Sequence, residues 1–323
     1  MVITGVGLLL PFADSISDLY TALCNGEYIG GRVGMPELDE KKGLLSANSI
    51  TKKAYAALVK AVSDSGKAAD EKTDTGIFLG SAFGSLKTVT DFDKNISENR
   101  LRAAMPMDFM NTVMNAAAGQ LAILTGFSGM NLTVSTGSRA SLDAISYARD
   151  MIAAGRVSRA IAGGAEELNE VYSEYMERNG AVPADGICLF AAESRKSARS
   201  RGAKVLAEVL GSAAAYRYGF GKDDVLQIMK KAVKGSDCEL SDIDFVITSG
   251  SHAETDIPIP GVDIKRIIGE IYSASAAVAA AAAIAVCRAG ALPDGTRLRA
   301  GTKRVMINSF GFDGYMGSMV LKI

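Results

Sequence analysis

The chain has 323 residues, 48% of them apolar and 22% charged, and its 35 basic and 36 acidic side chains give a formal net charge of -1. This length predicts two ordinary domains or one large one, with a core that needs no disulfide or metal. The balanced charge argues against a nucleic-acid-binding protein, because such proteins usually carry a basic excess. The single histidine excludes a mechanism that needs two imidazoles within one subunit.

Cysteine spacing and hydropathy indicate a cytoplasmic protein without a membrane segment. The four cysteines lie far apart, as is typical of reduced thiols in the cytoplasm. The longest apolar run, residues 276–287, has 12 residues, whereas a membrane span takes about 20. The apolar stretch from Val2 lacks a basic region before it and stops at Pro11, so it predicts a buried strand rather than a secretory signal.

Apolar runs alternate with helical patterns along the chain, which predicts an α/β fold. The predicted strands are 2–10, 75–80, 130–135, 159–163, 186–192, 204–211, 245–249, 304–309 and 317–322. The predicted helices are 15–25, 49–65, 139–154, 193–201, 222–234 and 273–288. The last of these is apolar on all sides, mostly through alanine, which predicts a central helix between two sheets.

A weak internal repeat predicts that the chain is a duplicated α/β unit. Residues 74–81 resemble residues 242–249, and each segment follows a helix and an acidic turn. Glycine and proline cluster near residues 179–185, which places the predicted boundary between an N-terminal half, 1–180, and a C-terminal half, 181–323. No flexible linker separates them, so we expect the halves to share one core.

One strand-to-helix turn has the composition of a nucleophile site. Residues 130–145 predict a strand, a tight turn at Thr136-Gly137-Ser138 and a helix that follows directly. Ser138 would lie at the helix N-terminus, where free N–H groups and the helix dipole favour negative charge. That position suits a nucleophile and the oxyanion it generates, and it equally suits a serine that only caps the helix.

Six segments, taken in chain order, match the motifs of one enzyme family. They are residues 2–7 with Pro11, and residues 23–26, 115–120, 162–166, 198–209 and 308–312. In these segments the chain resembles the β-ketoacyl-acyl carrier protein synthases, the decarboxylating condensing enzymes of fatty acid and polyketide synthesis. The resemblance implies a thiolase-like fold, in which two duplicated α/β halves form five layers, αβαβα, around buried central helices.

The resemblance also places Ser138 where the family has its catalytic cysteine, and Gly137 where the family turn has alanine. Residues 265–270 keep the Lys265 and the glycine of a second motif, but Glu270 takes the position of a catalytic histidine. The other catalytic histidine falls on a shortened loop, 248–256, in which either Gly250 or His252 fills its position.

The C-terminal loop carries the remaining predicted substrate contacts. Phe310 lies in the matching motif and Phe312 matches the residue that gates the acyl pocket in the family, so these two residues and Gly137 are the candidate substrate-binding residues. Asp313 follows, in place of a family glycine.

These replacements argue against ordinary condensation. A serine hydroxyl is far less acidic than a thiol of reference pKa ~8.5, so Ser138 needs a neighbouring base, and His252 is the only imidazole. An ionised Glu270 would repel the enolate that condensation generates, whereas the family histidines donate hydrogen bonds to it. The favoured interpretation of Lys265 and Glu270 is a structural ion pair.

We therefore expect a condensation-incompetent ketosynthase-like subunit, similar in its kind of loss to chain-length factors. The alternatives are a serine-dependent acyltransferase or thioesterase, with His252 or Glu270 as the base of Ser138, and a homodimeric binding protein without acyl chemistry. Expected partners are an acyl carrier protein or coenzyme A thioester and a second subunit, either the same chain or an active ketosynthase. We expect no cofactor, metal, nucleic acid or membrane partner.

Overall fold

Ten strands are found among residues 1–38, 43–67, 73–99, 106–236, 238–255, 257–301 and 303–323, which are the residues that the computed structural model describes. The strands are β1 Val2–Leu9, β2 Gly76–Gly80, β3 Asn131–Val134, β4 Arg159–Glu166, β5 Gly186–Glu193, β6 Ala207–Tyr216, β7 Phe245–Thr248, β8 Gly261–Asp263, β9 Arg304–Phe310 and β10 Tyr315–Lys322.

The strand order shows that the two halves repeat one topology. The hydrogen-bonded order is β3-β2-β4-β5-β1-β6-β10-β9-β7-β8. Reading β6 to β10 as a second copy of β1 to β5 gives the same order in each half, and only two residue pairs join β1 to β6. The similar segments 74–81 and 242–249 contain β2 and β7, which are equivalent strands. This confirms the predicted duplication, whereas the division at residue 180 stays a prediction; β5, which follows it, lies between β4 and β1.

Eleven α-helices of the described residues cover and separate these strands. They are α1 Ile16–Asn25, α2 Ser49–Asp64, α3 Leu86–Asn99, α4 Pro106–Met110, α5 Ala116–Thr125, α6 Ala140–Ala153, α7 Glu170–Arg178, α8 Arg195–Ser200, α9 Lys222–Lys234, α10 Lys265–Ile268 and α11 Ser275–Ala289. Helices α2 and α5 pack on strands of the first half, α9 packs on β6 and β10, and α6 and α11 contact each other and strands of both halves. The layers are those of the predicted five-layer thiolase-like fold.

The alanine-rich helix α11 lies at the centre of this arrangement. The side chains from Ala276 to Val286 are at most 4% exposed, because alanine lets the neighbouring elements approach closely on every side. The segment Tyr272–Ala289 is long and apolar enough to cross a membrane by length and composition alone, but 83% of it is buried inside the protein. Its apolar surface is therefore used by the core, as predicted.

The differences from the predicted elements lie in short or weakly patterned segments. The strand predicted at 204–211 is β6, which begins and ends later, at Ala207 and Tyr216. The sequence patterns gave no indication of β8, which has three residues, or of the helices α3, α4, α5, α7 and α10. Helix α5 is almost uniformly apolar, so it lacks the periodicity that identifies a surface helix.

Candidate functional site

The predicted strand–turn–helix around Ser138 is present, and its turn (residues 136–139, called the elbow below) lies at the start of α6. Strand β3 ends at Val134, a 3₁₀ turn spans Gly137–Arg139, and α6 follows. Gly137 has a φ of 53°, in the left-handed region that glycine adopts without strain. Ser138 is only 4% exposed.

The partner of Ser138 is a carboxylate from the other half of the chain. Asp313 lies in the turn between β9 and β10. Its Oδ1 accepts a hydrogen bond from Ser138 Oγ at 2.9 Å, and its Oδ2 accepts one from the Ser138 backbone N–H at 2.8 Å. The phenolic hydroxyl of Tyr272 donates to Oδ2 at 2.7 Å, and the backbone N–H of Tyr315 donates to Oδ1 at 3.2 Å. The N–H that would bind an oxyanion at the elbow is therefore already bound to an anionic side chain.

Two glycines make room for this carboxylate. A Cβ atom on Gly137 would lie 2.2 Å from Asp313 Oδ2. A Cβ atom on Gly311 would lie 2.2 Å from Asp313 Oδ1 and 2.0 Å from Ser138 Oγ. The close fit between the carboxylate and the two backbones fixes the position of the β9–β10 turn over the elbow.

Lys265 and Glu270 form the ion pair that was predicted for the motif at residues 265–270. Lys265 Nζ lies 2.5 Å from Glu270 Oε2, and the two side chains are 21% and 9% exposed. Glu270 Oε1 accepts hydrogen bonds from the Tyr272 N–H at 2.8 Å and from Ser275 Oγ at 2.9 Å. Glu270 thus ties α10 to the start of α11, and neither it nor Lys265 makes a hydrogen bond with Ser138.

The shortened loop after β7 does not bring an imidazole to the elbow. His252 is exposed, and among the described residues its side chain makes no hydrogen bond. Gly250 and His252 both line the same cleft as Ser138, so the structure leaves both as neighbours of the site. Residue 256, at the end of the predicted loop, lies outside the described residues.

A carboxylate that sequence analysis missed holds this loop. Glu254 accepts hydrogen bonds from the backbone N–H groups of Ser249, at 2.8 Å, and Ser251, at 3.2 Å, and from Asn308 Nδ2 at 2.9 Å. Burial raises the pKa of Glu254, against the effect of these hydrogen bonds. The loop is therefore anchored to β9 through a buried acid instead of carrying a catalytic histidine into the site.

The candidate residues meet at an open cleft of about 690 Å³. Ser138, Phe310, Phe312, Lys265 and Glu270 all line it, together with Gly250 and His252. Gly137 lies directly beside Ser138 in the elbow.

Phe312, which lines the cleft, packs against other aromatic rings. Phe312 stacks on Tyr272, with ring centroids 5.8 Å apart and an interplanar angle of 21°. Tyr272 stacks in turn on Phe83 at 5.6 Å, and Tyr175 contacts both Tyr272 and Phe312. The predicted gate residue Phe312 is thus part of a packed aromatic cluster.

Electrostatics keep the Tyr272 hydroxyl protonated. Burial raises the pKa of this phenol, and the adjacent Asp313 carboxylate raises it further. The hydroxyl therefore acts as a donor to Asp313. Tyr272 is also the one described non-glycine residue with a positive φ, 52°, a conformation that costs about 1–3 kcal/mol and usually occurs at functional sites.

In the described part of the chain, no group of three or more His, Cys, Asp or Glu side chains is placed to hold a metal ion.

Comparison with known proteins identifies the class to which this fold and cleft belong. The family model for the β-ketoacyl synthase N-terminal domain matches residues 40–202, half of the chain. The fold is that of the ketosynthases, and the chain belongs to the β-ketoacyl synthase family.

Among curated relatives, 3-oxoacyl-[acyl-carrier-protein] synthase 2 of Vibrio cholerae serotype O1 is 26% identical over 322 residues, covering 84% of this chain and 77% of the relative. Nodulation protein E of Rhizobium sp. (strain N33) is 23% identical over 317 residues, covering 83% of this chain and 77% of the relative.

Solved structures agree in fold over nearly the whole chain. The ishigamide ketosynthase/chain length factor has a TM-score of 0.86 at 19% identity, covering 99% of this chain and 98% of that chain. A type II polyketide synthase acyl carrier protein in complex with its ketosynthase bound to the hexaketide gives a TM-score of 0.82 at 17% identity, covering 99% of this chain and 98% of that chain.

The geometry does not favour the serine-dependent alternative. A serine nucleophile needs a base that can take its proton and later return it. The hydrogen-bond partner of Ser138 Oγ is Asp313, and neither His252 nor Glu270 bonds to it. The two bases considered for the alternative are therefore not in place.

Proposed function

We propose that this chain is a non-condensing subunit of the ketosynthase type. It would act in the cytoplasm on chains carried as thioesters by an acyl carrier protein or by coenzyme A, alongside an active ketosynthase. The observation that carries the proposal is the hydrogen bonding of the Asp313 carboxylate to both the N–H and the hydroxyl of Ser138.

Negative charge at the elbow is the physical reason why we expect no condensation. Condensation places negative charge on a thioester oxygen and on an enolate, and catalysis depends on donors aimed at that charge. Here the elbow N–H is bound to the Asp313 carboxylate, whereas the charge of Glu270 is offset by its ion pair with Lys265. Two like charges about 4 Å apart repel by about 4 kcal/mol at an effective dielectric constant of 20. Such a site opposes both the addition step and the enolate.

A test is incubation with malonyl- and acyl-carrier protein, with condensation product measured by mass spectrometry. The chain alone should form no product. Ser138→Cys should remain inactive, because the carboxylates stay in place. Robust product formation by the wild-type chain would overturn the proposal.

The proposal includes pairing through the β3 edge of the sheet. Strand β3 ends the strand order, so among the described residues its outer edge has no partner strand. Large apolar side chains are exposed beside it, including Ile123 at 82%, on the contacting helix α5, and Met130 at 42%. An unpaired edge next to apolar side chains is a surface that another chain can extend. Either a second copy or an active ketosynthase would fit it.

Native mass spectrometry tests this pairing. Ile123→Glu should weaken association, whether of the chain with itself or with a co-expressed ketosynthase. Phe12→Glu is the matched control, because Phe12 is 76% exposed but follows β1, at the opposite end of the first strand set. Equal association of both variants would contradict the predicted interface without affecting the condensation test.

A further inference from the structure

We propose that the elbow is a carboxylate-binding site whose resident ligand is the Asp313 side chain. Each carboxylate oxygen has two donors. Oδ1 accepts from Ser138 Oγ at 2.9 Å and from the Tyr315 N–H at 3.2 Å. Oδ2 accepts from the Ser138 N–H at 2.8 Å and from the Tyr272 hydroxyl at 2.7 Å. This is the coordination expected for an ionised carboxylate.

The surroundings of the carboxylate match its shape. Gly137 and Gly311 lie against its two oxygens, and a Cβ on either would lie 2.2 Å from one of them. The donor Tyr272 has a left-handed φ of 52°, and its own N–H donates to Glu270. Local strain of this kind persists where the surroundings fix a residue in place. The site is thus built from both halves around one small anion.

The Asp313 carboxylate limits how an acyl thioester can bind at the elbow. With Asp313 in place, the Ser138 N–H and hydroxyl both donate to its carboxylate, and a thioester carbonyl would have to displace that carboxylate to bond to either of them. An acyl chain can lie in the cleft without presenting its carbonyl to Ser138. This goes beyond the absence of condensation, because it assigns the class of ligand that the elbow binds: a monocarboxylate.

Chemical rescue tests the assignment. Asp313→Gly removes the CH2–COO⁻ group, and acetate has the shape of what was removed. We expect acetate to raise the melting temperature of Asp313→Gly saturably; a Kd of about 10 mM would give a rise of about 2–3 °C at 100 mM. Chloride at equal ionic strength should not do so.

The matched control is Asp263→Gly, a carboxylate that lines the same cleft and accepts from the Lys265 N–H but does not touch the elbow. Acetate should affect it no more than the wild type. Equal acetate shifts in Asp313→Gly and Asp263→Gly would overturn the proposal.

A second measurement applies if Asp313→Gly does not fold. Asp313→Asn keeps the side-chain shape and removes the charge. A thiol introduced by Ser138→Cys should react with iodoacetamide about tenfold faster when combined with Asp313→Asn, because loss of one adjacent negative charge lowers a thiol pKa by about one unit. The pair Ser138→Cys with Asp263→Asn should keep the rate of Ser138→Cys alone.

Equal iodoacetamide rates in all three variants would also overturn the assignment. Neither assay measures condensation, so failure here leaves the proposed function to its own test.

Discussion

The carboxylate of Asp313 lies so close to Gly137 that no side chain fits at that position: a Cβ on Gly137 would lie 2.2 Å from Asp313 Oδ2. Gly137→Ala should therefore destabilise the protein twice over, through a left-handed φ that costs about 1–2 kcal/mol and through overpacking that costs about 1–3 kcal/mol. Urea unfolding measures the sum.

A double-mutant cycle separates the two effects. Asp313→Gly in the Gly137→Ala background should recover the part of the overpacking that the carboxylate causes, with a coupling of about 0.5–3 kcal/mol, while the contact with Tyr315 Cδ2, 2.7 Å from the added Cβ, remains. Gly155→Ala is the control, because Gly155 has a φ of 66° and no atom within 4 Å of the added Cβ. A loss in Gly155→Ala as large as in Gly137→Ala would show that the carboxylate contributes nothing.

Removal of Lys265 should destabilise the protein by leaving Glu270 without its cation. We expect Lys265→Met to cost about 2 kcal/mol, somewhat below the cost of breaking a fully buried pair, because Lys265 is 21% exposed. Lys265→Met combined with Glu270→Gln should recover part of this in urea unfolding. Arg266→Met, which removes an 85% exposed ion-pair partner of Asp263, should change stability by no more than about 0.5 kcal/mol.

A buried acid at the end of β4, Glu166, should make stability depend on pH. Burial raises the pKa of Glu166 from 4.5 to about 7, although it accepts hydrogen bonds from the Ala82 and Phe83 N–H groups. Between these values the folded protein holds a proton that the unfolded chain releases, so this contribution is full below pH 4.5 and is lost as pH rises to about 7. The shift corresponds to about 3 kcal/mol.

Glu166→Gln should flatten this dependence. Urea unfolding at several pH values between 4.5 and 8 gives the comparison, in which the stability difference between wild type and variant should shift in favour of the variant as pH rises. Parallel profiles would mean that Glu166 is ionised in the folded protein throughout the range.

Enlarging a side chain inside α11 should be costly. Ala280 is fully buried, and Ala280→Leu should destabilise by about 1–3 kcal/mol or more because the larger side chain overpacks the core around the helix. Ala289, at the exposed end of the same helix, provides the control: Ala289→Leu should be nearly neutral. Thermal unfolding distinguishes them, and equal melting temperatures would contradict the central position of α11.

Much of the fold was predictable because local patterns determine it. Alternation of apolar strands and helices, the repeat at β2 and β7, and the uniformly apolar α11 all follow from short stretches of sequence. The Lys265–Glu270 pair was predictable because both residues lie in one short matched motif, with four residues between them.

The central contact of the site was not predictable from such patterns. Ser138 and Asp313 are 175 residues apart, and Asp313 looked like a simple departure from a family glycine. Two opposite changes in side-chain size indicated the contact: the chain has glycine at 137 where the family has alanine, and aspartate at 313 where the family has glycine. Tyr272 and Glu254 gave no comparable signal, because their roles depend on loops folded against each other.

Hydrogen exchange at the elbow can report on a contact between the two sets of strands, β1–β5 and β6–β10, which meet in the sheet at β1 and β6. Only two residue pairs join the strand sets there, whereas the Ser138 amide proton is bound by a residue from the opposite set. Exchange of that proton with deuterated solvent becomes possible when the β9–β10 turn lifts away from the elbow, so its exchange rate records how often this turn opens.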